Sequence, residues 1–279
     1  MSILHHLFYY PLLPSVFIAG MFASACAFAV VGSFTEAWGL NFTYSKFSPF
    51  SSSSSSYASG VKPSIRCVPS RTGMLLIYTP ALVAAAAAAF LPGALAGERS
   101  WLLCFVLFVH FFKRVLEVLF IHQYSGHVPL NTALQISPGY LSATACLLHA
   151  QNLAVHPPTL DLQLAGILLF LAGITGNFYH HLLLASLRTN NNNNKKKGDK
   201  SYKIPKGGLF GLVACPHYLF EAIEFVGFAL ISQTLFASGV LVGTLGYLMG
   251  RSWATRKWYL SKFKGEFPRH VKALIPYVF

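Results

Sequence analysis

The sequence predicts an all-α, polytopic membrane protein of about seven transmembrane helices, and three observations carry that prediction. Hydrophobic residues make up 54% of the 279 and charged residues only 10%, too little charge for an ordinary soluble domain of this length. Apolar runs long enough to span recur along the chain. The 21 Lys and Arg residues gather between those runs, where positive charge holds loops on the cytosolic side. The net charge of +13 therefore speaks of topology and not of nucleic acid. Five cysteines, an odd number without a CxxC pair, offer no disulfide framework and argue against a structural metal or a stapled lumenal domain.

The first span is the uncharged run from Leu7 to Thr35; with no Lys or Arg before it, it reads as an uncleaved span and not a secretory leader. Residues 36–72 are polar, with an N-x-T sequon at Asn41 and a serine tract, Ser51 to Ser56, that reads as a loop. A second span covers Gly73 to Gly97 and is interrupted by Tyr78-Thr79-Pro80. A tyrosine beside a helix-interior proline either reaches a freed carbonyl or ligand, or sits in an interfacial belt.

The third span starts at Trp101 and meets Lys113, Arg114 and Glu117 after twelve uncharged residues. Lys113 faces Glu117 one turn on, either as groups snorkelling to the interface or as donors for a phosphate-bearing ligand. The fourth and fifth spans are Ala133 to Val155 and Leu162 to Leu184, the fifth carrying Asn177, His180 and His181. Adjacent histidines point about 100° apart on a helix, so hydrogen bonding suits them better than zinc. From Phe225 to Gly250 nothing is charged, and Ser232-Gln233-Thr234 breaks that run into two spans.

A lumenal N-terminus places every Lys and Arg except Arg99 on the cytosolic side and leaves the C-terminus cytosolic. Asn41 is then cytosolic and carries no glycan.

The stretch from Ser201 to Phe225 holds most of the candidate chemistry. It passes through Gly207-Gly208 and Cys215-Pro216 to His217, Tyr218, Glu221 and Glu224. Proline suits a first helical position. If Pro216 opens a helix, His217, Glu221 and Glu224 share one face, and ionisable groups at membrane depth mark a site unless they merely meet headgroups.

These blocks, with Trp258-Tyr259 and the terminal Lys272-Ala273-Leu274-Ile275-Pro276, resemble the steroid 5-alpha-reductase family. Upstream, His110-Phe111-Phe112-Lys113-Arg114 with Glu117, and Leu119-Phe120-Ile121-His122, resemble its very-long-chain enoyl-CoA reductase branch; polyprenol reductases belong to it too. The resemblance divides the chain into N-terminal helices with a serine-rich cytosolic loop, residues 1–100, and a catalytic region, residues 101–279. It implies seven helices enclosing a cavity for NADPH and a lipid, in the endoplasmic reticulum membrane.

By the same resemblance NADPH is held by Tyr44, Lys46, Arg114, Asn177, Arg188, His217, Arg251 and Tyr259. Three of this chain's residues depart from the steroid branch: His181 replaces an acidic residue, His217 an asparagine and Val271 an arginine. That branch also carries a glutamate before a Leu-Pro on the second span, where this chain reads Ile77-Tyr78-Thr79-Pro80.

Reducing a double bond conjugated to a carbonyl builds charge on the carbonyl oxygen, so a donor aimed there lowers the barrier most. Tyr218, Tyr78 and a protonated Glu221 are the catalytic candidates, Glu221 alternatively holding the nicotinamide amide. No metal is expected. The implied partners are a lipid substrate, either a 3-oxo-4-ene steroid or an enoyl-CoA, membrane lipids and, for the enoyl-CoA branch, fatty-acid elongase components. A catalytically silent lipid-binding homologue is the third alternative.

Overall fold

Helices begin and end where the chain's prolines, glycines and caps require. The computed structural model describes residues 6–11, 20, 66–124, 126–192 and 202–279, with the side chains of 10, 11 and 188–192 left aside. The expectations for the first span beyond residue 11, Asn41, Tyr44, Lys46, Ser51 to Ser56 and the Arg188 side chain lie outside the described residues. The molecule is mostly helical and divides into two compact units, Asn41–His149 and Met1–Leu40 with Ala150–Phe279.

In the Asn41–His149 unit, strand β2 (Cys67–Pro69) pairs antiparallel with β3 (His127–Pro129). Between them run α1 (Ser70–Ala88) and α2 (Glu98–Leu116). The alanine run suits α1 because alanine is the best helix former, and Pro92-Gly93 lies just beyond its end, with Gly93 at φ +75°. Gly73 lets α1 lie against β3, since a Cβ there would stand 3.2 Å from the Cβ of Val128. The Cys104 thiol donates to the Ala85 carbonyl at 3.2 Å, joining α2 to α1. Helix α2 runs into a π-helical turn over Glu117–Ile121, closed by the His122 N–H on the Glu117 carbonyl five residues back. Helix α3 (Leu130–Asn152) follows, with Pro138 inside it.

In the other unit, the short strand β1 (Tyr10–Pro11) pairs antiparallel with β4 (Ala154–His156). Helix α4 (Gln163–Asn192) continues beyond the expected end at Leu184, because no proline or glycine occurs between Leu184 and Asn192. Helices α5 (Pro216–Ser232) and α6 (Leu235–Lys262) are separated where the sequence places a break. Gln233 there takes a left-handed φ of 47°, and the Thr234 hydroxyl accepts from the Ala237 N–H as the α6 cap. Gln233 fixes the corner: its side chain accepts from Leu162 N–H at 2.9 Å and donates to the carbonyls of Leu7 and Leu160. Helix α6 carries on past Arg251 through the basic, aromatic stretch, since no breaker occurs before Gly265.

Helices α4 and α5 touch through glycines. A Cβ on Gly227 would stand 2.7 Å from the Phe170 nitrogen and 2.8 Å from the Gly166 carbonyl oxygen, and one on Gly173 would stand 2.6 Å from the Glu224 nitrogen. Small residues at such crossings let backbones approach where apolar burial drives little association.

Two described helical segments, Ser70–Ala88 and Gln163–Leu187, are long and apolar enough to cross a membrane. On α4, Leu164, Leu168, Leu171, Phe178 and Leu182 stand exposed at helical spacing, an outward apolar stripe that suits lipid rather than water.

Candidate active site

The stretch Ser201 to Phe225 takes its shape from two glycines and a proline. Gly207 and Gly208 have φ of +89° and +50°, and a Cβ on Gly208 would stand 2.6 Å from the His180 Nε2. Only glycine meets both conditions. The turn they make, continued as a 3-10 helix over Gly208–Gly211, delivers the Leu209 N–H to His180 Nε2 at 3.1 Å. Since Nε2 accepts there, the Nδ1 of His180 donates to the Gly176 carbonyl at 2.7 Å. His180 is thus a buried clamp between α4 and the signature stretch.

The next residues pair with the C-terminal segment. Lys272 N–H donates to the Leu212 carbonyl at 2.9 Å, Ala214 N–H to Lys272 and Cys215 N–H to Ala273. Arg256 secures that segment by donating to the carbonyls of Val271 and Arg269 at 2.6 and 2.8 Å. Pro216 then opens α5 at its first turn, as expected. The Asn177 side-chain amide donates to the His217 carbonyl at 2.8 Å, tying the α5 entry to α4.

On α5, His217, Tyr218 and Glu221 are half-buried and Glu224 is fully buried. The His217 ring lies 4.2 Å from that of Tyr218 and 5.5 Å from that of His181. On α6, Arg251 is 1% exposed, and the buried Oγ of its neighbour Ser252 has no hydrogen-bond partner among the described residues. Tyr259 is buried in a cluster with Ala214, Cys215, Phe267 and Val271, its ring stacked on Phe267 at 5.1 Å.

The remaining candidates lie in the Asn41–His149 unit. Glu117 is 0% exposed and takes Arg114 Nη1 at 2.7 Å and Lys113 Nζ at 3.2 Å. Arg114 Nη2 donates to the Tyr78 hydroxyl oxygen at 2.7 Å, with its guanidinium carbon 4.8 Å from the centre of the Tyr78 ring. Tyr78 is 7% exposed and Arg114 is held on two sides. The i, i+4 spacing of Lys113 and Glu117 was legible in the sequence; the reach of Arg114 to Tyr78 was not, because it joins two helices. Sequence reasoning also missed the clamp role of His180 and the glycines of α4 and α5, whose only signal was the spacing of Gly166, Gly173 and Gly176.

A family model described as 3-oxo-5-alpha-steroid 4-dehydrogenase matches residues 127–279. A steroid 5-alpha-reductase of Gossypium hirsutum is 42% identical over 116 residues, 42% of this chain and 42% of that protein. One of Arabidopsis thaliana is 45% identical over 78 residues, 28% of this chain and 30% of that protein. A very-long-chain enoyl-CoA reductase of Dictyostelium discoideum is 29% identical over 185 residues, 65% of this chain and 58% of that protein. The chain thus spans less than half the length of the two plant relatives. The model takes in more than half of this chain, from β3 through the signature stretch to the C-terminal pairing, and on that footing the chain belongs to the 3-oxo-5-alpha-steroid 4-dehydrogenase family.

Proposed function

We propose that this protein is an NADPH-dependent reductase of a carbon–carbon double bond conjugated to a carbonyl in a lipid of 3-oxo-4-ene steroid type, working in the endoplasmic reticulum membrane. The observation that carries the reading is the α5 entry. Its half-buried His217, Tyr218 and Glu221 are held by the Asn177 bond and by the pairing of residues 212–215 with Lys272 and Ala273. A hydroxyl donor fixed on a packed helix is what a carbonyl oxygen gaining negative charge requires.

The residues fit a dinucleotide in one testable respect. Arg251 and the unpartnered Ser252 Oγ place a buried cation and a buried hydroxyl side by side in the sequence of α6, where its uncharged run ends, and such groups serve a polar ligand better than a core. Arg251, Tyr259, Asn177, Arg188 and His217, with Tyr44 and Lys46, would hold NADPH, which supplies the hydride when bound. Tyr218 donates to the carbonyl oxygen, and Glu221 either donates as the protonated acid or holds the nicotinamide amide.

Purified protein in lipid nanodiscs tests this reading. Tyr218→Phe and Glu221→Gln should fold and insert yet lose about 10²-fold in kcat; full turnover in both removes these roles. A second reading, reduction of a trans-2-enoyl-CoA in fatty-acid elongation with elongase components as partners, is favoured by one observation. Where the steroid branch resemblance implies a carboxylate, this chain has Tyr78 bonded to Arg114. Failure to bind NADPH would favour a non-catalytic lipid-binding protein instead.

A further inference from the structure

The 3-10 helix over Gly208–Gly211 starts without a cap of its own. The first N–H groups of a helix have no partner inside it, and a Ser, Thr, Asp or Asn just before them ordinarily accepts one. Here that position is Gly207, which has no side chain to offer. The Leu209 N–H is taken instead by His180 Nε2 at 3.1 Å, an acceptor that belongs to α4. The cap is supplied by the neighbouring helix, so the bond that caps the turn also holds it at one height along α4.

The same imidazole also reaches α5. Its ring stacks on Phe220 with centroids 5.2 Å apart and planes at 22°, and Phe210 meets it from the turn at 5.7 Å. Two glycines make the room: a Cβ on Gly208 would stand 2.6 Å from His180 Nε2, and one on Gly176 would collide with the Phe220 ring. Phe220 lies between Tyr218 and Glu221 in the sequence of α5. At about 100° per residue those two side chains stand about 160° and 100° round the helix from Phe220, and roughly 60° from each other. Pinning Phe220 therefore sets the direction in which both point. An apolar ring would fill this buried position at less cost; imidazole adds a directed acceptor on its outer nitrogen.

We infer that His180 is a positioning residue which, by accepting the Leu209 N–H, sets the signature stretch and the α5 entry so that Tyr218 and Glu221 meet the conjugated carbonyl. The inference rests on the reductase reading and deepens it. His180 exchanges no proton with the lipid; its contribution is geometric. A displacement of about 1 Å at a reacting group costs up to about 10²-fold in rate, so a single bond two segments away from the carbonyl governs turnover.

Two substitutions split the imidazole into its halves. Glutamine places an amide oxygen where Nε2 stands, and asparagine an amide nitrogen where Nδ1 stands. His180→Gln therefore keeps an acceptor for Leu209 and loses the Gly176 bond, while His180→Asn keeps the Gly176 bond and loses the acceptor. Both lose the ring stack. The test uses full-length protein in nanodiscs, with a 4-en-3-one steroid and a long-chain trans-2-enoyl-CoA as probes. The melting temperatures of the two variants should fall alike, but their turnover should not. His180→Asn should lose about tenfold or more in kcat at little-changed KM, and His180→Gln should keep most of its kcat. Hydrogen–deuterium exchange at the Leu209 amide should be slow in the wild type and in His180→Gln, and fast in His180→Asn. Equal kcat in the two variants would reduce His180 to packing and overturn the inference, leaving the reductase reading intact. If His180→Asn does not fold, His180→Gln decides alone: retained kcat supports the inference, and a loss of about tenfold with the Leu209 amide still protected overturns it. A wild type that neither binds NADPH nor reduces either probe would remove the reading and the inference together.

Discussion

In the Asn41–His149 unit an ion cluster closes around the buried Glu117. Glu117 meets Lys113 and Arg114, and Arg114 reaches on to Tyr78. In the other unit, which also buries Glu224 and Arg251, three neutral buried side chains act on backbone. Asn177 donates to the His217 carbonyl, His180 receives the Leu209 N–H, and Gln233 holds Leu162, Leu7 and Leu160. The difference lies in what each kind of group can specify. Withdrawing an ion from water costs several kcal/mol, so ions recur where a field is needed. An amide or imidazole bonded to backbone costs far less and fixes where a chain segment runs. One unit stores charge at a point; the other locks the entry to α5.

That contrast can be broken most severely where backbones touch. Gly227→Leu would drive a side chain into the Phe170 nitrogen and the Gly166 carbonyl. It should destabilise by about 3 kcal/mol or more, read as loss of the monodisperse peak in fluorescence-detected size exclusion. Gly211→Leu is the control, because nothing lies within 4 Å of a Cβ there, and its peak should be unchanged.

Next in size is the corner. Gln233→Gly keeps the left-handed backbone at no steric cost and removes three side-chain bonds. A loss of about 2–3 kcal/mol should appear as a lowered melting temperature; an unchanged one would mean that the neutral network specifies little. The smallest effect is expected from Asn177→Leu, which removes the bond to the His217 carbonyl. It should cost about 1 kcal/mol, measured in the same melting assay.

Much of the fold was legible along the chain because its signals are local. Proline at residue 216 opens α5, Ser232-Gln233-Thr234 divides α5 from α6, and Lys113 meets Glu117 at one-turn spacing. Each follows from a few neighbouring residues and the geometry of a helix. The extension of α6 past Arg251 was not legible, since a charged, aromatic tail looks like a loop until the absence of any breaker before Gly265 is weighed.

By itself the sequence determined the helical class, the apolar segments, the capping points and which residue types were gathered for chemistry. Only the tertiary structure decided what each of those residues touches. It turned His180 into a clamp, set Tyr259 against Phe267, laid the C-terminal segment beside residues 212–215 and brought Arg114 to Tyr78. The reason is physical: propensity and periodicity act within a turn or two of helix. Contacts between residues 36 positions apart, or nearly 60, depend on how whole helices pack, and there a glycine is recognised only by the backbone that occupies its missing side chain.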